Sequence, residues 1–534
     1  MSTLALPTGA AKQRKAPFLT RLKEALGQPE SRRYFGVYLA GKMLGLMAVI
    51  GIAYFFMKFV GDKAFAQDAA TPPPLTGDDI VNPINTVWVL VTAFLVFFMQ
   101  AGFMMLEAGF ARSRETVNVL QECIVDTCLC GLLFFAFGFA FMFGEGNGWI
   151  GHNYFFLQTD TATYGTTGIA FLAFFLFQFA FADTCSTITS GAMVGRTGFK
   201  GDLIYSVGVS GFIYPILGHW VWGPGGWLTD PNIMSTPFRD FAGSTVVHTI
   251  GGMIALTGAI ALGPRIGRKF KRDGGGMFPG HDMTIAAVGG VILWFGWYGF
   301  NPGSTLSAMD FTGIGRVATN TTLAAAAGGL TAMAWIYPRV KKWDMGITVN
   351  GFLGGLVAIT CPCYWVDPLG AIIIGGIAGV VVVLGIDFIE WLRVDDPIGA
   401  VAVHGIAGIW GTISLGLFAA GKYGAAGPTG ADNTSPVGGL LYGGGTKQLV
   451  AQLIGSAVIT VATLAVGFAL MYGVKLTRTL RVSEEGELEG IDIHEHGGPA
   501  YHVEFGMGTS YSTQHGSSAP PVAASGAKDS SPVS

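Results

Sequence analysis

Charge is what this chain has least of. Asp, Glu, Lys and Arg together make up 12% of its 534 residues, against about 25% in soluble domains, which excludes an ordinary water-facing globule. A net charge of −3 without a basic stripe outside the termini excludes a nucleic-acid footprint, so no DNA or RNA partner is implied. Cysteine is sparse, and the six residues present (Cys123, Cys128, Cys130, Cys185, Cys361 and Cys363) show no CxxC spacing. They read as small hydrophobes, with "CPC" the one spacing that admits a disulfide or metal pair. There is no nucleophile–base constellation and no nucleotide loop, which argues against an enzyme and leaves no cofactor implied. Alternating segments of about 10 residues are missing too, which excludes a β-barrel.

What is present is apolar length. Hydrophobic residues make up 51% of the chain, with 81 glycines and a mean hydropathy of +0.50. Runs such as "NTVWVLVTAFLVFFMQAGFMMLEAGF" and "AIIIGGIAGVVVVLG" suit a hydrocarbon core that takes roughly 20 residues per helix. Backbone groups in lipid must be satisfied within the segment, so the fold class is an all-α polytopic membrane protein. About eleven spans are expected, near 85–110, 121–143, 167–190, 202–222, 241–262, 282–300, 316–337, 346–364, 369–391, 399–419 and 447–472. Alternate loops collect the basic residues, among them Arg112, Arg114, Arg265, Arg268, Lys269, Arg339, Lys341, Lys475 and Arg481. That asymmetry predicts these loops on the cytoplasmic side, with the core's N-terminus outside and its tail inside.

Residues 1–66 carry a basic start and an apolar stretch ending in an A-x-A site at Ala64 to Ala66, read as a cleaved signal peptide or a retained anchor helix. A Pro-rich linker follows at 67–84, then the transmembrane core at 85–473, a cytoplasmic tail at 474–508 and a disordered end at 509–534. The expected location is a cell (inner) membrane, with the lipid bilayer as a partner.

One motif occurs twice: "DFAGSTVVH" at 240–248 and "DPIGAVAVH" at 396–404 share Asp, Gly, Val and His at the same places. Asp240 falls at the outer end of the fifth span and Asp396 at the inner end of the tenth, so the two copies run oppositely through the bilayer. Two inverted five-helix repeats plus a final helix produce that relation, and such repeats place a functional site near the midplane. His248 and His404 then both lie deep in the membrane, where an ionisable ring faces a cavity and has a partner. Two imidazoles in contact share a tautomeric proton, which fits a proton relay. A metal site needs a third ligand there, and none is evident, so no metal is expected.

The motifs "MQAGFMMLEAG", "FGEGN", "DFAGSTVVH", "GWYGFNPGS", "RVDDP", "AVHGIAGIWG" and "LRVSEEGELEGIDIHEHGGPAY" resemble the Amt/Mep/Rh ammonium transporters, and the Amt branch in particular, over residues 85 to 505. The resemblance implies that Trp222 and Ser304 recruit ammonium at the outer mouth, with Asp240 holding the structure beside them. It also implies that Phe181 and Phe300 form a stacked hydrophobic gate and that His248 and His404 are the twin pore histidines. A homotrimer and a PII-type regulator at the cytoplasmic face are further implications.

Ammonium and potassium are alike in size and charge, but ammonium donates directional hydrogen bonds and can lose a proton. The expected mechanism is therefore deprotonation near the gate, passage of neutral ammonia, and separate proton transfer through the histidines. An ammonium sensor with little flux, signalling through the tail, is the alternative. Asp183 motivates it, because relatives commonly carry a small residue there. Asp183 is either an extra cation or proton site or a partner for a hydroxyl such as Thr184 or Thr187. Glu107 and Asp126 are expected to serve packing and capping, and His494, His496 and His502 to belong to an ordered tail rather than a metal site.

Overall fold

The computed structural model describes Met47 and residues 76–424 and 436–501. The N-terminal basic segment, almost all of the signal or anchor helix, the first half of the linker and the 509–534 tail lie outside the described residues, as does His502. Among the described residues, apart from short 3-10 turns, thirteen helices follow one another: α1 (Asp78–Phe110), α2 (Thr116–Phe143), α3 (Phe171–Gly191), α4 (Phe199–Trp222), α5 (Ser244–Leu262), α6 (Met283–Gly303), α7 (Phe311–Val340), α8 (Met345–Thr360), α9 (Pro368–Trp391), α10 (Val401–Phe418), α11 (Lys447–Leu476), α12 (Glu484–Glu489) and α13 (Ile491–His496). Among the described residues, nine of these are long and apolar enough to cross a membrane. The apolar run of α7 is diluted by Thr, Asn and Gly, and α8 has only 16 residues, so neither meets that criterion by composition and length alone. A two-stranded antiparallel pair, with Thr163 opposite Ala170, precedes α3.

The helices start where the side chains supply caps. Asp282 accepts from the N–H groups of Thr284 and Ile285 at the head of α6 (2.9 and 3.0 Å), Asp344 from Ile347 at α8 (2.9 Å) and Asp367 from Gly370 at α9 (2.8 Å). Each satisfies N–H groups that would otherwise be orphaned at a helix start. α1 begins at Asp78, inside the stretch expected to be linker. Pro83 falls in its second turn, where the missing N–H removes one i→i−4 bond, to the Asp79 carbonyl, and the acidic first turn suits the helix dipole.

Small residues set how closely the helices approach. α1 packs along α6, and α7 packs along α8 and α9, through positions such as Gly289 against Leu106 and Gly375 against Ala324, where a Cβ has no room. α5 and α10 cross head to tail. Ser244 and Thr249 face Gly408, Thr245 hydrogen-bonds Thr412, and Gly252 faces His404 and Gly405. Early residues of one helix thus meet late residues of the other, as the inverted repeat requires.

Candidate functional site

Both histidines stand in wide π-helical turns, Ser244–Thr249 and Val401–Ile406, that open α5 and α10. The shared sequence motif explains both turns. Asp240 accepts from the N–H groups of Gly243, Thr245 and Val246 at 3.0, 2.9 and 2.9 Å. Asp396 accepts from Gly399, Ala400 and Val401 at 3.1, 3.0 and 2.9 Å. Gly243 (φ 112) and Gly399 (φ 82) take the left-handed backbone that brings each carboxylate under its own helix. The repeated Asp and Gly are therefore the scaffold of each histidine.

The two rings meet. His248 Nδ1 lies 3.2 Å from His404 Nδ1, with ring centroids 5.2 Å apart and planes 23° from parallel. One nitrogen donates and the other accepts, so the pair holds a single proton between them. His248 is fully buried, and its Nε2 has no hydrogen-bond partner among the described residues. Trp297 stacks on this ring at 5.2 Å and Phe300 at 5.4 Å, while Phe103 stands 6.3 Å from His404.

The other residues singled out in the sequence continue the column. Phe181 stacks on Phe300 with centroids 4.1 Å apart, and Trp222 meets Phe181 edge-on at 6.0 Å. Trp222 is fixed by its Nε1, which donates to the Asp240 carbonyl at 2.8 Å. Ser304 donates its only hydroxyl proton to the Phe300 carbonyl at 2.8 Å, which leaves its oxygen lone pairs to accept. Asp183 is different. Its Oδ2 lies 3.2 Å from the hydroxyl of Thr127 on α2, whereas Thr184 and Thr187 bond Ala180 and Gln100 instead. Glu107 takes a 3.4 Å hydrogen bond from Ser190, and neither oxygen of Asp126 has a hydrogen-bond partner among the described residues.

Trp297 is the member of the site that sequence reasoning overlooked, although Trp297, Phe300 and Ser304 follow at helical spacing and share one face. The loop before α10 is also more than a topological marker. Arg265 grips the Asp395 carboxylate through Nε and Nη2 at 2.8 and 3.0 Å, Arg268 approaches it at 3.3 Å and pairs with Glu390, and Arg196 donates to the Asp395 carbonyl at 2.6 Å. Burial alone would push the Asp395 carboxyl up, but the Arg265 hydrogen bonds and the charges of Arg196 and Arg265 outweigh it and hold the group well below the usual carboxylate range. Burial lowers Arg196 to about 10, against the pull of Asp395.

All six cysteines are free. Cys361 and Cys363 contact the carbonyls of Arg239 and Thr360 rather than each other. In the tail, His496 Nε2 lies 2.9 Å from the Asn118 side-chain oxygen, and His494 Nε2 is 3.4 Å from Ser483.

The Ammonium Transporter Family model matches residues 87–501. Ammonium transporter Amt2 of Archaeoglobus fulgidus is 45% identical over 426 residues, covering 78% of this chain and 88% of that protein. Ammonium transporter 1 member 1 of Arabidopsis thaliana is 40% identical over 419 residues, covering 74% and 81%. Among solved structures, one named Sensor Amt Protein matches with a TM-score of 0.70 at 37% identity, over 78% of this chain and 99% of its own. Candida albicans Mep2 matches with a TM-score of 0.68 at 27% identity, over 77% and 89%.

Proposed function

This chain belongs to the ammonium transporter family, and from that premise we propose that it moves ammonium across a membrane by splitting the ion into ammonia and a proton. It is a membrane transporter rather than an enzyme. Ammonium is recruited where the Trp222 ring face offers about 0.5–2 kcal/mol of cation–π attraction and the Ser304 oxygen accepts an N–H bond. The cation cannot go further whole, because a full charge in a dry apolar constriction costs at least a few kcal/mol. Neutral ammonia passes the stacked Phe181 and Phe300 rings, while the proton travels through His248 and His404 and rejoins ammonia on the other side. Potassium has no proton to give up, so the same barrier rejects it.

The observation that carries this reading is the 3.2 Å Nδ1 to Nδ1 contact beneath a stacked aromatic pair, with His248 Nε2 left unbonded. A shared proton with a free nitrogen beside it is the arrangement a relay needs. The orientation follows from the loop charges, with the core's start outside and α12 and α13 on the cytoplasmic side. A homotrimer with one pore per subunit, a PII-type regulator at the tail and an inner-membrane location complete the proposal. The domain plan of a signal or anchor segment, linker, transport core and regulatory tail belongs to it too.

Reconstitution in liposomes tests it. Ammonium pulses are expected to evoke a current and an internal pH change in the native protein, potassium pulses neither, and His248→Ala or His404→Ala is expected to abolish the current. A second reading, ammonium sensing with little flux, is favoured by the likeness to the Sensor Amt Protein. It predicts ammonium binding without current or pH change in the native vesicles.

A further inference from the structure

α2, α3 and α4 bury a second set of acids away from the histidines. Glu122 and Asp126 on α2, Asp183 on α3 and Asp202 on α4 are all buried. Asp126 interacts electrostatically with Asp202 and Asp183, and Glu122 with Asp202 and Asp126. The other titratable groups facing them are Glu107 from α1, Cys123 and Cys130 from α2 and Tyr205 from α4. At the far end Glu122 accepts from Asn118 Nδ2 at 2.9 Å, and Asn118 is held in turn by Asp492 and His496 of α13. Among the described residues no Lys or Arg forms an ion pair with any of the four acids.

The cluster is also short of hydrogen bonds. Among the described residues, both oxygens of Asp126, Oδ1 of Asp183 and Oδ2 of Asp202 are buried without a hydrogen-bond partner. Ser206 Oγ is buried too and lies beside Asp126 without closing a hydrogen bond of normal geometry. Unpartnered carboxyl oxygens at this depth are costly, and neighbouring carboxyls with no counter-cation cannot all be charged together. Among the described residues, no three of these side chains converge closely enough to hold a metal ion. The ligand whose size and charge suit such a site is a proton.

α3 ties this cluster to the pore. Phe181 and Asp183 are two residues apart, so they point to nearly opposite sides of the helix. Phe181 packs on Phe300 and Trp222, while Asp183 turns to Thr127 on α2. We propose that Glu122, Asp126, Asp183 and Asp202 form a buried proton-binding site, separate from the histidine pair, that releases a proton when ammonium occupies the recruitment site. A cation held against the pore face of α3 favours the ionised form of the acids behind it. One carboxyl O–H bond then breaks, the electron pair stays on the carboxylate, and the proton leaves toward the Asn118 and α13 end. By linkage, filling the cluster with protons weakens ammonium binding to the same degree. This inference rests on the recruitment step of the proposed function.

The test is an infrared difference spectrum of the full-length protein, recorded with ammonium chloride against equimolar potassium chloride. Ammonium is expected to cause loss of a protonated-carboxyl carbonyl band that shifts in deuterated water. Asp126→Asn and Asp202→Asn, near-isosteric with the protonated acid, are expected to abolish it, and Asp183→Asn to diminish it. No ammonium-dependent carboxyl band in the native protein, or a band unchanged in all three variants, overturns the site. Nitrogen flux measured in parallel vesicles separates the two ideas. Flux without the band removes this site and leaves transport standing, while the band without flux keeps the site and removes transport.

Discussion

At the residue scale, the site works through side chains whose alternatives are closed off. Ser304 can accept from a cation because its own proton is committed to Phe300, and Trp222 can present its face because its N–H is committed to Asp240. Replacing Trp222 with Leu is expected to weaken apparent ammonium affinity by roughly 2- to 30-fold, the equivalent of about 0.5–2 kcal/mol of cation–π attraction. Concentration-dependent currents in vesicles check it. Asp240 is a scaffold residue with a different signature. Asp240→Ala orphans three buried N–H groups, at about 1–3 kcal/mol for each group left unsatisfied. A lowered unfolding midpoint in detergent is therefore expected alongside any loss of flux, whereas Ser304→Ala is expected to leave that midpoint in place.

At the scale of elements, the crossing of α5 and α10 is what brings two distant histidines together. Gly252 lies against the backbone of His404 and Gly405 with no space for a Cβ, while Gly473 on α11 has open space around it. Gly252→Ala is thus expected to destabilise the protein by about 1–3 kcal/mol through overpacking, and Gly473→Ala to be close to neutral. The loop that starts α10 is clamped by Arg265 on Asp395. Because the folded Asp395 titrates below its unfolded value, its stabilising contribution is present above the ordinary carboxylate range near 3.8 and is lost as pH falls through the lower folded value. Asp395→Asn is expected to lower the unfolding midpoint at neutral pH and to flatten its fall in acid, read from melts across a pH series.

The same elements mark how far the sequence could be read. The repeated Asp, Gly and His were visible as a motif, and inversion followed from an odd number of spans between the copies. The π-helical turns were not visible, because apolar runs carry no period that separates π from α geometry. Of the buried acids on α2 and α4, Asp126 alone was read, as a packing or capping group, and Glu122 and Asp202 were not singled out, since the electrostatic interaction between Asp126 and Asp202 joins different helices and leaves no local pattern. Trp297 was legible in principle from its spacing to Phe300 and was hidden by the many tryptophans around it.

Across the whole molecule, the proposed function puts a charged step and a neutral step on different routes. Among the ionisable groups that the helices bury are the histidine pair between the inverted halves and the carboxyls between α2, α3 and α4. The account stands or falls on whether charge and nitrogen can be separated. Simultaneous recording of charge and isotopically labelled nitrogen entering the same vesicles, in the native protein and in His248→Ala/His404→Ala, tests this most directly. The native protein is predicted to carry both, and the double variant to lose charge movement while nitrogen still enters as ammonia. Charge and nitrogen falling in strict proportion in the variant would contradict it, because the ion would then be crossing intact.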